Sequence, residues 1–197
     1  MSIQNMWFGG ILHHLGLGGR SALSVAFLPV LLVVTALLAS PETAAANVLG
    51  PHATRCGAGA TSAVLVEVTG LKVRRGSLRV QSYGGNPATY FDKGAWLERI
   101  DVPVPAMGGV SICVPVPKPG IYAISVRHDL NGNHKSDMSD GGGMSGNPEI
   151  SLMDLIMKSK PSPKDVAFNV GQGTRVITVV MNYVQGGSFR PVRVVSR

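Results

Sequence analysis

The sequence is poor in charged residues, in aromatic residues and in cysteine. Only 15% of its 197 residues are charged, 6% are aromatic, and two are cysteine. A dense run of Lys and Arg interleaved with aromatic side chains, which is typical of nucleic-acid readers, is absent from the sequence. We therefore expect no nucleic-acid partner.

The sequence also lacks the common catalytic motifs. It has no Gly-x-Ser-x-Gly elbow, no His-Glu-x-x-His helix, no phosphate-binding glycine loop and no dinucleotide fingerprint. Gly141–Gly143 is interpreted as a flexible tract. It is not followed by the Lys-Ser or Lys-Thr that a phosphate-binding loop requires. Asp92, Asp101 and Asp154 are scattered and form no assignable acid and base pair. We predict that the protein is not an enzyme.

One long apolar run is present, and it lies near the start of the chain. Ala22–Ala39 carries no charge, follows Arg20 and precedes a Ser-Pro break and the small residues Ala44–Ala46. This order is typical of a signal peptide, so we predict that residues 1–46 direct export and are removed after Ala46. The run is also long enough for an uncleaved membrane anchor. Either alternative places the remaining chain in the periplasm or outside the cell, with membrane contact only through an uncleaved N-terminal segment.

The charge balance is basic, with a formal net charge of +7. Removal of residues 1–46 would take away one base and one acid, Arg20 and Glu42, and would leave this charge unchanged. Residues 186–197 form a basic tail with Arg190, Arg193 and Arg197. A cell-envelope polyanion is one partner that this charge suits, and scattered solvated charge is the alternative.

Both cysteines, Cys56 and Cys113, follow the predicted export segment. Two cysteines in an oxidising compartment more often pair than stay free. A disulfide between them would fix the N-terminal end of the exported part to a strand in its middle. Two buried thiols remain the alternative.

Short β-branched and alternating runs dominate the exported part. We predict a tether over residues 47–60, a β-sandwich domain over 61–185, and strands at Ala63–Val68, Ser77–Tyr83 and Ile121–His128. The first two strands are predicted to pair. Val and Pro alternate from Glu98 to Gly120, which favours edge strands or strands that end at proline.

The last third of the chain has further strand patterns. Asp165–Val170 and Thr174–Tyr183 flank Gly171–Gly173 and predict a hairpin, while Glu149–Lys158 suits a short helix or a covering loop. About seven short strands and at most one helix favour an all-β, antiparallel two-sheet sandwich of immunoglobulin-like or transthyretin-like build.

The spacing of oxygen-bearing side chains in one loop indicates a metal site. Counting from Asp129, oxygen-bearing side chains occupy the first, third, fifth, ninth and twelfth positions, and a backbone carbonyl near Lys135 suits the seventh. Calcium takes six to eight oxygen ligands from such a loop. We predict calcium as the cofactor, with these candidate ligands: Asp129, Asn131, Asn133, Lys135, Asp137 and Asp140.

The loop departs from a helix-flanked calcium loop at two positions. His134 occupies the sixth position, where glycine makes the sharp turn, and Asp140 replaces the usual glutamate at the twelfth. The alternative is a metal-free turn, because Asn, Asp and Gly are the best turn formers. His128 and His134 flank the loop and suit a transition metal, although a histidine at a strand end is more often a hydrogen-bonded edge residue.

The stretch Pro117–Asp137 resembles a bacterial family, domain-of-unknown-function family 2141. That family shows a Pro-x-Gly-x-Tyr-Ala strand followed by His-Asp-x-Asn-Gly-Asn-x-Lys-x-Asp. The matching residues here are Pro119, Gly120, Tyr122, Ala123, His128, Asp129, Asn131, Gly132, Asn133, Lys135 and Asp137. The resemblance implies an exported β-sandwich and supplies no activity. After the loop this chain has its own segment, Gly141–Lys160, in place of the family's Gly-x-Pro-x-Glu-Gly-x-Gly-Phe-Ser.

These observations predict an exported, non-catalytic β-sandwich that holds a calcium ion in the loop 129–140. The alternative is an envelope-associated adhesion or carbohydrate-binding module in which the same loop is a metal-free turn.

Overall fold

A computed structural model describes residues 47–192. The predicted signal peptide or anchor, residues 1–46, lies outside the described residues, as do the last five residues of the predicted basic tail. The described part is all-β with two sheets and short helices, which confirms the predicted fold class.

The elements follow one another as short strands with two brief helices. The 3-10 turns are Ala53–Cys56 and Pro87–Thr89, and the helices are α1 (Leu152–Met157) and α2 (Pro163–Val166). The strands are β1 (Val48–Leu49), β2 (Ser62–Thr69), β3 (Ser77–Gly84), β4 (Glu98–Pro103), β5 (Val110–Pro115), β6 (Gly120–Asp129), β7 (Gly141–Met144), β8 (Phe168–Val170), β9 (Gly173–Val180), β10 (Asn182–Gln185) and β11 (Ser188–Pro191).

The smaller sheet has four strands in the order β1-β5-β2-β9. Strands β2 and β5 are antiparallel, but β1 pairs with β5 and β9 pairs with β2 in parallel. The predicted antiparallel sandwich thus has two parallel strand pairs in this sheet, which the sequence did not indicate. The reason is that β9 enters it after β8, which belongs to the other sheet, so β9 arrives in the same direction as β2.

The larger sheet has seven strands and only antiparallel pairs. Its order is β11-β10-β7-β6-β3-β4, with β8 pairing to the other end of β6. Strand β4 ends at Pro103 and lies at the sheet edge, as the Val-Pro alternation predicts. Proline is tolerated there because no further strand needs its missing amide hydrogen.

The core lies between the sheets and contains alternate residues of β2, β3 and β6. Val64 and Val66 of β2 face Val80 of β3 and Ile124 and Val126 of β6, and all are 2% exposed or less. Successive side chains of a strand point to opposite faces, so the other positions of β3 and β6 form the outer face of the larger sheet.

Two predicted hairpins are wrong, although their strands exist. Strand β2 lies in the smaller sheet and β3 in the larger one, so they do not pair. Residues 165–170 are divided between α2 and β8, and the chain then crosses to the smaller sheet as β9. The pattern indicates strands, but it contains no signal for which sheet each strand joins.

The predicted tether, tail and flexible tract differ from the structure. Within residues 47–60, β1 pairs with β5, and Cys56 is joined to Cys113. Strand β11 falls in the predicted tail and extends the larger sheet past residue 185. Gly141–Gly143 is not flexible but belongs to β7, because Gly141 and Gly143 leave room for the Tyr183 ring and for Val179.

Candidate functional site

The Asp- and Asn-rich loop connects two neighbouring strands of the larger sheet. It follows β6 and precedes β7, and these strands pair through His128 and Gly141. Asp129 at its start is fully buried and Asp140 at its end is 7% exposed, whereas residues 131–139 between them are exposed. The loop is therefore held at both ends by buried carboxylates.

Asp129 orders the first half of the loop through backbone hydrogen bonds. The amides of Gly132 and His134 each donate to one of its carboxylate oxygens at 2.8 Å. The Arg127 guanidinium lies 3.6 Å from one of these oxygens and compensates the buried charge. Both Gly132, with φ of 70°, and His134, with φ of 60°, adopt the left-handed conformation that this tight turn requires.

Asp137 lies at the centre of the exposed part. Its Oδ2 accepts hydrogen bonds from the side-chain amides of Asn131 and Asn133, both at 2.9 Å. Its Oδ1 accepts from the Ser139 amide at 2.9 Å. Hydrogen bonds from Ser139 and Asn131 stabilise the ionised carboxylate and hold the pKa of Asp137 well below its usual range.

The two asparagines also stabilise the backbone. Asn131 Oδ1 accepts from the Asn133 amide at 3.1 Å, and Asn133 Oδ1 accepts from the Lys135 amide at 2.8 Å. These are Asx turns, in which a side chain replaces a backbone acceptor. Lys135 thus contributes its backbone amide to the hydrogen bonds of the loop.

Asp140 is a buried carboxyl with weak hydrogen-bond partners. Its oxygens accept from the amides of Leu130 at 3.2 Å and Asp137 at 3.4 Å, which are long for hydrogen bonds to a charge. Burial raises the pKa of Asp140, and the negative charges of Asp137 and Asp129 raise it further. A cation in the loop would relieve this repulsion.

The structure thus brings the predicted ligand residues into one loop. The side chains of Asn131 and Asn133 donate hydrogen bonds to the Asp137 carboxylate. The Asp140 carboxylate accepts a hydrogen bond from the backbone amide of Asp137. Asp129 bonds instead to the backbone of the first turn. Within residues 47–192, no group of three or more His, Cys, Asp or Glu side chains is arranged to hold a metal ion.

His128 does not face the loop and has a structural role: it is hydrogen-bonded, as the alternative to a metal ligand predicted, but it lies in the core and not at an edge. Its ring is fully buried, with Nε2 donating to the Arg75 carbonyl at 2.7 Å. Nδ1 therefore accepts the Tyr183 hydroxyl hydrogen at 2.6 Å, and that hydroxyl accepts from the Lys72 amide at 3.2 Å. Burial lowers the pKa of His128. The alternation of β6, which places His128 with Ile124 and Val126, was the available signal.

The predicted disulfide is present. Cys56, at the end of the first 3-10 turn, is bonded to Cys113 of β5, and the two Cα atoms are 5.7 Å apart. Through residues 47–192, the helices are all too short to span a membrane.

The two packed sheets define an all-β sandwich, and a side-chain-ordered, Asp- and Asn-rich loop connects β6 to β7 within the larger sheet. Residues 66–178 match the family described as an uncharacterized protein conserved in bacteria, DUF2141, and the chain belongs to this family. The match includes β6 and the entire loop and confirms the resemblance given above. Comparisons with curated proteins and with solved structures gave no match.

Proposed function

We propose that the protein is an exported, non-catalytic sandwich domain whose loop 129–140 binds calcium. The observation that carries this proposal is the placement of three carboxylates in one connection, with Asp129 and Asp140 buried and the pKa of Asp140 raised by burial and further by the other two charges. A divalent cation is the ligand that such a group favours, because it neutralises several carboxylates at once.

Calcium binding would exchange some hydrogen bonds of the loop for metal ligands. Asn131 and Asn133 both direct a side-chain amide group at Asp137 Oδ2. Rotation of each amide by half a turn would direct its oxygen there instead, at the cost of the bonds that these oxygens accept from the Asn133 and Lys135 amides, and calcium would replace the amide hydrogens between the three groups. His134 supports the same geometry, since its left-handed backbone gives the sixth position the turn that glycine usually provides.

Calcium titration of the purified protein tests this proposal. We expect heat of binding and a rise in melting temperature with calcium in the millimolar range, where extracellular calcium modules bind. At ten times the dissociation constant the expected stabilisation is about 1.4 kcal/mol. Asp137→Asn should abolish the rise, whereas Asp92→Asn, which alters an exposed ion pair with Lys160 outside the loop, should retain it. Absence of both signals in the unsubstituted protein would sink the proposal.

One observation favours a second candidate function. Donors within the loop already form hydrogen bonds with the side-chain oxygens of the loop. Asp129, Asn131, Asn133 and Asp137 all accept hydrogen bonds from loop donors. In this alternative the loop is a metal-free turn of an envelope-associated adhesion or carbohydrate-binding module. Its expected signature is a melting temperature unchanged by calcium or chelator, together with retention on cell-envelope material.

Export is part of both candidates and has a separate measurement. Intact-mass analysis of the protein recovered from the periplasm or medium should give a chain that begins at Asn47. Recovery in the membrane with residues 1–46 attached would support the anchor alternative, and recovery in the cytoplasm would contradict export.

A further inference from the structure

A groove crosses the outer face of the larger sheet beside the loop. Its floor contains outward-facing residues of four adjacent strands, which are aligned in one row by the pairs Arg79 with Arg127, Arg127 with Gly142, and Gly142 with Asn182. Ile150, Leu155 and Phe189 form the opposite wall, and the enclosed volume is about 300 Å³. This lies at the lower end of the size range of ligand pockets.

The groove exists because one residue of its floor has no side chain. Gly142 faces outward, and a Cβ atom there would lie 3.3 Å from Cζ of Phe189. Any larger side chain would fill the space between the sheet and Phe189. The wall at Ile150 and Leu155 comes from the segment that follows β7 and includes α1.

The charge of the groove is positive. Its lining contains two arginines and no carboxylate. Arg79 is neutralised by Asp101, which accepts from Nε at 2.7 Å and from Nη2 at 3.2 Å. Arg127 has no bidentate carboxylate partner: Nη1 donates to Ser136 Oγ at 3.0 Å, and Nη2 lies 3.6 Å from the buried Asp129 carboxylate. Its Nε is buried, and 19% of the side chain is exposed, so an anionic ligand group would approach the Nη end of Arg127.

The rest of the lining combines uncharged polar groups with aromatic rings. Gln81, Ser125 and Asn182 contribute amide and hydroxyl groups to the floor, and Phe91 and Phe189 contribute aromatic rings to the lining. Phe91 has φ of 66°, a conformation that a bulky residue rarely adopts, and its ring lies edge-on to Tyr83 at 5.1 Å. Such strain is more common at ligand sites than elsewhere.

We propose that this groove binds a sugar unit that carries a carboxylate. Arg127 recognises the carboxylate, because guanidinium matches its planar geometry. The amide and hydroxyl side chains exchange hydrogen bonds with sugar hydroxyls, and the aromatic rings pack on the apolar face of the sugar. A purely hydrocarbon acid would leave the polar floor desolvated without partners. The proposal gives the second candidate function a ligand and does not depend on calcium.

The test uses the full chain and NMR or calorimetric titration with glucuronic and galacturonic acid, and with glucose and inorganic phosphate as comparison ligands. We expect millimolar binding of the acidic sugars, and binding at least about tenfold weaker for glucose and phosphate, which offer either the ring or the charge alone. Equal binding of glucose, equal binding of phosphate, or absence of uronate binding would overturn the proposal.

Three variants locate the site. Arg127→Gln should weaken uronate binding about tenfold and leave glucose binding unchanged, since it removes the charge. Phe189→Ala, in an edge strand, should weaken binding of both sugars. Arg175→Gln is the matched control, because Arg175 is an exposed arginine of β9 in the other sheet, and it should bind as the unsubstituted protein does.

Arg127 also contacts Asp129 of the loop, so each titration is repeated with calcium and with chelator. Each variant is first shown to melt cooperatively. Uronate binding that survives Arg127→Gln or is lost with Arg175→Gln would contradict the assignment. Retention on envelope material without uronate binding would overturn this proposal and leave the second candidate function standing.

Discussion

His128 and Tyr183 lie 55 positions apart in the chain, and a hydrogen bond of 2.6 Å joins their buried polar atoms. The chain of hydrogen bonds runs from the Lys72 amide through the Tyr183 hydroxyl and the imidazole to the Arg75 carbonyl. Every member is thereby satisfied, which is the condition for a polar network inside a core. Its function is to fix β6 and β10 relative to the turn before β3.

Tyr183→Phe should destabilise the domain by about 1–3 kcal/mol, because it leaves His128 Nδ1 buried without a donor. Urea denaturation measures this loss. Tyr90→Phe is the control, since the Tyr90 hydroxyl donates only a longer bond, of 3.3 Å, to the Ile121 carbonyl. A loss for Tyr183→Phe no greater than that of the control would contradict the network's importance.

His128 should also make the stability depend on pH. Burial lowers its pKa from the value of 6.5 that it has when unfolded, so the unfolded chain takes up a proton first as the pH falls. This contribution to stability is fully present above pH 6.5 and is lost progressively below it, until the folded-state pKa is reached. Each unit by which the pKa is lowered corresponds to about 1.4 kcal/mol.

Denaturation midpoints between pH 5 and pH 8 measure this slope. The variant His128→Leu should be less stable at neutral pH and should show a flatter dependence through this range. His134→Leu, which replaces an exposed histidine, is measured beside it as the comparison variant. An unchanged slope in His128→Leu would show that another group is responsible.

Strand β7 is an element that the pattern of side chains does not predict. Three of its four residues are glycine, so no alternation of apolar and polar side chains marks it as a strand. Packing selects glycine here, because Gly141 lies under the Tyr183 ring and Gly143 lies against Val179 and the Val180 carbonyl. Strands β2, β3 and β6 were predictable because their alternate side chains face the core.

Gly143→Ala should destabilise the domain strongly, by about 2 kcal/mol or more, because a Cβ atom would lie 2.7 Å from Val179 Cγ1 and 2.8 Å from the Val180 carbonyl oxygen. Thermal melting compared with Gly171→Ala measures the effect, since Gly171 has open space around its Cα. Equal melting temperatures for the two variants would contradict the close packing of β7.

The loop and the groove differ in how far sequence could predict them. Local spacing places Asn131, Asn133 and Asp137 together, because all the contacts between them span six positions or fewer. The groove needs side chains from β3, β6, β7 and β10, and their register depends on which strands pair. Strand pairing is set by the whole fold, so neither the groove nor the partner of His128 had a local signal.

At the scale of the whole molecule, the disulfide links the first ordered segment to the middle of the chain. Cys56 and Cys113 enclose 57 positions, and β1 adds a short parallel pair on the same side of β5. Residues 47–60 are thus attached to the smaller sheet, although their Gly- and Ala-rich composition predicts a free tether. Amino-acid composition does not indicate that a disulfide and a strand pair attach this segment to the sheet.

Replacing both cysteines by alanine should lower the free energy of unfolding by about 4 kcal/mol, the chain-entropy value for a loop of this length. Chemical denaturation of the double variant measures the loss. Limited proteolysis should then cut first within residues 47–60, and a cleavage pattern identical to that of the unsubstituted protein would show that β1 holds the segment alone.

The parallel pairing of β2 with β9 has a consequence for the order of folding. It joins Ser62 with Gly173, so the smaller sheet cannot be completed until nearly all of the domain has been made. Before that point β2 pairs only with β5, and its other edge presents unpaired backbone groups between valine side chains, which is the kind of edge that promotes aggregation. Because contacts so distant in the chain form late, we expect slow folding with a dependence on protein concentration.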